Sequence, residues 1–289
     1  MTELTLLDGG MGQELIARTR NDLSPLWSAF VMMNEPEIVE AVHREYVEAG
    51  AQYITLNTYS ATPERLARDA TEDLFEPLQS KAIEIAKRAC EGSNAKIAGC
   101  LSPPFGSYYP EKDANPEVYL RNYSRAVDCQ KQHVDVFLCE TMSSITEATT
   151  ATSAVKESGK PAWCALSVME QDGTRLRSGE PLDEAIHQVK EAGADAILLN
   201  CSPPEAISAG VKILAKCGVP FGAYANGFTK ADDLQLGGTV EHLQARKDLG
   251  PNAYADFCSQ WVEDGATIIG GCCEVGPAHI TELRRRFLS

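Results

Sequence analysis

Two adjacent cysteines, Cys272-Cys273, follow two glycines, Gly270-Gly271, after the apolar β-like run Ala266-Thr267-Ile268-Ile269. Neighbours on a regular strand point to opposite faces, so both thiols can serve one site only where the strand ends. The glycines give the backbone freedom to leave the strand there. A third thiol, Cys201, ends another apolar run, Ala196-Ile197-Leu198-Leu199-Asn200. Strands two apart in a sheet lie roughly 10 Å from one another, so thiols leaning inward from both ends can meet at one ion with metal–sulfur bonds of ~2.3 Å. Three protein ligands with no evident fourth describe an open, catalytic zinc site, and no Cys-x-x-Cys or His-x-x-x-His pair competes with it. Three thiolates leave Zn²⁺ electron-rich, which weakens it for hydrolysis and suits it to holding an incoming thiol as thiolate. The chemistry to expect is attack by a substrate sulfur on an alkyl group.

Other polar residues also close apolar runs: Asp8, Asn57-Thr58-Tyr59, Glu140-Thr141 and Asn226. Asp8 and Glu140 would be free to bind a positive group, and an amino acid's ammonium is the natural candidate, held by charge-assisted hydrogen bonds. The competing readings are a turn or helix cap for Asp8 and a structural ion pair for Glu140. Cys100, Cys139 and Cys164 fall inside apolar strands, while Cys90, Cys129, Cys217 and Cys258 fall in helical patterns, and all seven read as packing. The five histidines lie in helical stretches, away from strand ends, and read as surface or packing residues.

The elements that would position these groups repeat in order. Strands are expected at residues 4–7, 53–58, 96–100, 136–139, 162–168, 196–199, 220–225 and 267–269, with helical patterns between them. Pro36 opens one clear helix that Gly50 stops, and a long helix from Pro63 to Cys90 should break near Pro77. Continuous apolar strands alternating with helices imply a parallel sheet buried on both faces. Eight such units in 289 residues imply one (β/α)8 barrel occupying 1–289, with the reactive groups at the C-terminal face. An open doubly wound sheet is the runner-up, but the first strand is followed by no Gly-x-Gly-x-x-Gly and the chain holds no phosphate-binding loop.

Lys+Arg is 26 against Asp+Glu 41, a formal charge of −15, which argues against nucleic acid or an anionic membrane surface as partner. No stretch is apolar enough over the required length to span a bilayer, and the start, Met1-Thr2-Glu3-Leu4, lacks the features of a signal peptide. A cytoplasmic location is therefore expected, with the ten cysteines as thiols or metal ligands rather than disulfides. The oligomeric state is left open, as is the question whether residues 229–251 form a lid.

Asp8-Gly9-Gly10-Met11-Gly12, Leu26-Trp27-Ser28-Ala29, Asn57-Thr58-Tyr59, Glu140-Thr141, Asn200-Cys201 and Gly270-Gly271-Cys272-Cys273 together resemble the motif set of the homocysteine S-methyltransferase family, in order and over nearly the whole chain. The resemblance implies a (β/α)8 barrel in which Cys201, Cys272 and Cys273 bind zinc. It implies that Asp8 and Glu140 grip L-homocysteine while Gly9, Thr58, Tyr59 and Asn226 contact substrate, and Tyr59 could approach the metal when substrate is absent. The implied reaction moves a methyl group from an onium donor to the homocysteine thiolate, giving methionine. The chain is similar to the compact branch using S-methylmethionine or S-adenosylmethionine. Betaine, dimethylsulfoniopropionate and a selenol acceptor remain alternatives on the same site. Trp27, Phe105, Tyr108 and Tyr109 could hold a sulfonium by cation–π contact or pack on the barrel rim. Two other classes predict different signs: a zinc hydrolase would use histidine or carboxylate ligands, and a thiol redox or zinc-storage protein would lack a saturable amino-acid site.

Overall fold

Alternation along the strands decides which side chains face one another in the computed structural model. It describes residues 4–22, 24–109, 115–231, 234 and 243–288. Eight strands, β1 (Thr5–Leu6), β2 (Tyr53–Thr55), β3 (Lys96–Leu101), β4 (Val136–Met142), β5 (Ala162–Leu166), β6 (Ala196–Asn200), β7 (Phe221–Tyr224) and β8 (Ile268–Ile269), form one parallel sheet in the order β1-β8-β7-β6-β5-β4-β3-β2. A parallel bridge between Leu7 and Tyr53, with Asp8 N donating to Tyr53 O at 3.1 Å, joins the first strand to the second and closes the ring. The helices are α1 (Met11–Arg18), α2 (Trp27–Asn34), α3 (Pro36–Ala49), α4 (Pro63–Asp69), α5 (Phe75–Cys90), α6 (Pro116–Gln130), α7 (Ile145–Glu157), α8 (Leu182–Glu191), α9 (Pro204–Leu214), α10 (Pro251–Glu263) and α11 (Pro277–Phe287). None of the described helices is long and apolar enough to cross a membrane.

The barrel separates two cores. One fills its lumen with Leu7, Ala98, Val136, Leu138, Ala165, Ala196, Leu198, Tyr224 and Ile268. The other, larger, lies between strands and helices and takes the alternate residues, such as Phe137, Cys139, Ile197, Leu199, Ala223 and Ile269. Cys139, Cys164 and Cys258 are fully buried there, as packing requires.

Four details depart from the sequence pattern. Helix α2 occupies the stretch before the first long helix, where the sequence pattern marks no element. It buries Ser28, Ala29, Val31 and Met32, so no amphipathic stripe marks it. The long helix breaks at Ala70 (φ −156°, ψ −105°), and Pro77 sits instead in the first turn of α5, where its missing N–H costs no intrahelical bond. Strand β4 runs on to Met142 with a register shift between Cys139 and Met142, and Thr141 adopts φ +62° inside it. His133 and Cys217 lie in turns just past α6 and α9 rather than in the helices. Of the segment 229–251, residues 232–233 and 235–242 lie outside the described residues, so the question of a lid there has no structural answer.

Candidate functional site

At the C-terminal end of the barrel the strand termini surround a cavity of about 890 Å³, counting the space open to solvent at its mouth. Asp8, Gly9, Tyr59, Glu140, Cys201, Cys272 and Cys273 all line it. The three cysteine sulfurs lie within 4.8 Å of one another, the one such cluster among the described residues. A tetrahedral ion with ~2.3 Å bonds to sulfur sets its ligands ~3.8 Å apart, so small side-chain movements suffice to bind one. The donor set fits the group: three thiols, no competing disulfide, and a ring of backbone bonds fixing their loops.

Local packing explains why glycines precede Cys272. Neither Gly270 nor Gly271 has a left-handed φ. A Cβ on Gly271 would stand 2.2 Å from Val275 Cγ1, and one on Gly9 2.1 Å from Val275 O. The glycines therefore allow two loops to interlock rather than supplying freedom to turn. Gly271 N donates to Asp8 O (2.9 Å) and Gly10 N to Val275 O (3.0 Å), while Cys272 N donates to Ala225 O (3.0 Å). Clustering also splits the thiol acidities. Hydrogen bonds from Cys272 and Cys273 hold Cys201 well below the ordinary thiol range, and the contact with Cys201 pushes Cys272 and Cys273 up.

Asp8 is buried, and its carboxylate accepts from Thr55 N (2.8 Å) and Thr55 Oγ1 (3.0 Å). Burial outweighs those bonds and raises its pKa to about 7. Glu140 shares the inward parity of Val136 and Leu138, and the bulge that follows it sends Thr141 aside to Asn200, with two bonds of 3.0 Å between them. Burial raises Glu140 to about 8, against a lowering bond from the Cys100 thiol, whose sulfur lies 3.1 Å from Glu140 Oε1. Cys100 is thus a partner of Glu140 and not packing alone. No structural ion pair holds Asp8 or Glu140 among the described residues, and no lysine, arginine or histidine of those residues lines the cavity.

Thr58 and Asn226 are not brought to this cavity. Thr58 Oγ1 lies behind the strands, accepting from Gln130 Nε2 (3.4 Å) and donating to Cys100 O (3.5 Å). Asn226 Oδ1 accepts from Phe228 N (3.3 Å), folding its own loop. Of the aromatic residues, Trp27 lines the cavity edge-on to Tyr59, 6.3 Å between centroids. Phe105 packs on Tyr119, Tyr109 donates to Leu234 O (2.8 Å), and Tyr108 stacks on Arg177. Tyr59 meets Ser107 Oγ at 2.7 Å, whereas the tyrosine beside a thiol is Tyr108, its hydroxyl 2.9 Å from Cys201 Sγ.

Thr55, Tyr224 and Arg177 are site residues that strand-end reasoning passed over. Thr55 and Tyr224 fall inside the expected strands 53–58 and 220–225 but are the last residues of the observed β2 and β7, and Arg177 comes from the β5–α8 connection. Asn200, a strand end in the sequence pattern as well, is spent on Thr141. Backbone strain offers a signal only coordinates reveal. The five non-glycine residues with positive φ among the described residues are Trp27, Tyr108, Thr141, Cys201 and Glu274, four lining the cavity and the fifth next to Cys273. Conformations that cost about 1–3 kcal/mol each gather where surrounding contacts enforce them for use.

The buried carboxyls carry a stability signature. Their folded pKa values, about 7 for Asp8 and about 8 for Glu140, exceed the ordinary 3.8 and 4.5. The stability they contribute is complete below their unfolded values and is lost as pH rises through the folded ones. Metal-free protein without substrate should melt several degrees higher at pH 5 than at pH 8.5, and Glu140→Gln should narrow that gap. Calorimetry of the two proteins at both pH values checks this; an unchanged gap would contradict the assignment of Glu140 as a buried, unpaired carboxyl.

A family model described as homocysteine S-methyltransferase matches residues 5–287. The chain is 28% identical to the homocysteine S-methyltransferase of Escherichia coli (strain K12), covering 98% of this chain and 95% of that one. It is 25% identical to a selenocysteine Se-methyltransferase of Brassica oleracea var. italica, covering 98% and 89%. Among solved structures, the homocysteine methyltransferase MmuM from Escherichia coli in its metallated form superposes with a TM-score of 0.81 at 28% identity, covering 98% of this chain and 96% of that one. The match over nearly the whole length, on a barrel whose mouth gathers three thiols and two carboxylates, shows that this chain belongs to the homocysteine S-methyltransferase family.

Proposed function

We propose that the protein transfers a methyl group from a small onium donor to the thiol of L-homocysteine, giving methionine, with Zn²⁺ held by Cys201, Cys272 and Cys273. The observation that carries this reading is the pairing of three mutually close thiols with two buried, unpaired carboxylates in one cavity lined by no described cation. Zinc held by three thiolates supplies a position in which a fourth sulfur is deprotonated at neutral pH. Asp8 and Glu140 take the ammonium of homocysteine through charge-assisted hydrogen bonds, which also restores both carboxyls to the ionised form. Leu56, Met11, Trp27 and Phe228 line the wall and exclude water from the reacting sulfur.

The homocysteine sulfur attacks the donor's methyl carbon in line. The bond from that carbon to the donor's sulfur or nitrogen breaks, its electron pair stays with the donor, and the positive charge of the onium group is neutralised. A cavity with two carboxylates, three thiols and no described lysine or arginine favours a cationic donor over an anionic one. S-methylmethionine and S-adenosylmethionine are the first candidates, ahead of betaine and dimethylsulfoniopropionate. A selenol acceptor is the second reading, favoured by the likeness to the Se-methyltransferase.

The test is an assay on metal-analysed protein, offering homocysteine or selenocysteine with each of the four donors in parallel. The expected result is methionine from one sulfonium donor, with turnover proportional to zinc content near one ion per chain. Zinc at that level with no methylated product from any pair would overturn the substrate assignment.

A further inference from the structure

Cys201 is clamped more tightly than its two partners. It sits at φ +49°, and its carbonyl accepts from Arg177 Nη2 (3.2 Å), Tyr108 Oη (3.3 Å) and Ser167 Oγ (3.4 Å). Arg177 Nε also donates to Ser167 Oγ at 2.8 Å. The Tyr108 hydroxyl lies 2.9 Å from Cys201 Sγ, and the guanidinium carbon of Arg177 lies 3.7 Å from the Tyr108 ring centroid. Tyr108 itself is held at φ +66°, with the preceding Ser107 tied to the Tyr59 hydroxyl at 2.7 Å.

We propose that Tyr108, oriented by the stacked Arg177, is a positioning residue for the metal ligand Cys201, its phenol donating a hydrogen bond to the ligand sulfur. This rests on the reading of Cys201, Cys272 and Cys273 as a metal site. A group in the ion's fourth position would stand about equally far from all three sulfurs. The hydrogen bonds of Tyr108 go to Cys201 alone, so the hydroxyl serves a ligand rather than competing with substrate. A thiolate can only accept, so once the sulfur is ionised the single phenolic proton turns to it from the Cys201 carbonyl, which keeps Arg177 and Ser167 as donors.

Two consequences follow from the chemistry. The bond draws electron density from one of three thiolates and fixes the rotamer of Cys201, as partners of metal ligands do elsewhere. Arg177, whose charge reaches Cys201, opposes the net negative charge that three thiolates leave around a divalent ion and stabilises the ring it stacks on. Tyr108 and Arg177 come from the loops after β3 and β5, so the loop crown around the barrel mouth, beyond the strands that carry the cysteines, sets how firmly the ion is held.

The test uses Co²⁺-loaded full-length protein and needs no substrate. Wild type, Tyr108→Phe, Arg177→Lys and Ser107→Ala are compared for the rate of metal loss to a chelator and for the sulfur-to-cobalt charge-transfer band. Tyr108→Phe is expected to lose the ion ~10- to 100-fold more readily, the range found for lost partners of metal ligands. Its charge-transfer band should move to lower energy, because a thiolate without its donor is easier to oxidise. Arg177→Lys should weaken retention less, and Ser107→Ala, which leaves Cys201 untouched, should shift no band. Wild-type retention and an unmoved band in Tyr108→Phe would overturn the proposal, as would equal band shifts in Tyr108→Phe and Ser107→Ala. Because the readout is the ion alone, methyl transfer failing with every donor would sink the functional reading and leave this one standing. Wild-type protein that takes up no Co²⁺ would overturn both.

Discussion

Replacing Cys201, Cys272 or Cys273 by alanine is expected to abolish stoichiometric metal binding and to lower methyl transfer by at least ~10³-fold, since a bound ion supplies several kcal/mol to its reaction. The fold should survive each change. The sulfurs sit at the mouth, past the ends of β6 and β8; the strand ladder and the buried residues of both apolar cores are other residues, with Cys272 only packing against the edge of the lumen core. The three variants should not be equal in the metal-free state. Cys201 takes the first negative charge of the cluster and pushes the other two thiols up, so its removal should lower the thiol pKa of the remaining pair, read by the pH dependence of alkylation. Elemental analysis with circular dichroism separates the outcomes. Full metal content in all three variants would remove the cysteines as ligands, and loss of secondary structure would make them structural.

The barrel was legible because its signal is periodic. Eight apolar runs separated by helical patterns left few alternatives, and the strand parity that places Leu138 in the lumen and Cys139 outside it follows from alternation alone. The thiol triad was legible for a related reason: Cys201, Cys272 and Cys273 end strands, and strand ends of a closed barrel converge. What escaped depends on irregular backbone. Thr58 and Asn226 follow strands as Tyr59 and Cys201 do, yet the loops turn them behind β3 and into the β7 loop. Cys100 reads as one more small apolar residue until the bulge in β4 sets Glu140 beside it. Helix α2 escaped because it is buried on several sides and carries no stripe. Arg177 and Tyr108 act at a distance in sequence of 24 and 93 residues from Cys201, and no local spacing announces such contacts.

Glu140→Gln is expected to weaken homocysteine binding by ~30- to ~1000-fold at pH 8.5 while leaving metal content unchanged, because removing one partner of a buried charge pair costs about 2–4 kcal/mol. The amide keeps the shape and can still meet the Cys100 sulfur, so the loss reports charge rather than packing. The wild-type pH profile should show the same dependence. Burial places Glu140 at about 8 and Asp8 at about 7 in the free protein, so both are protonated in acid and neither can then hold an ammonium. Binding the cation stabilises the carboxylates, which means kcat/KM for homocysteine falls as pH drops through about 8 and falls more steeply below about 7. The charge of Asp8 is one of the lesser causes that raise Glu140, after burial. Glu140→Gln should erase the upper limb and keep the lower one, and comparing both proteins in the same buffers cancels the titration of homocysteine itself. A variant whose profile retains the limb near 8, or which loses metal in step with homocysteine affinity, would remove Glu140 from the substrate grip and leave Asp8 as its one carboxylate.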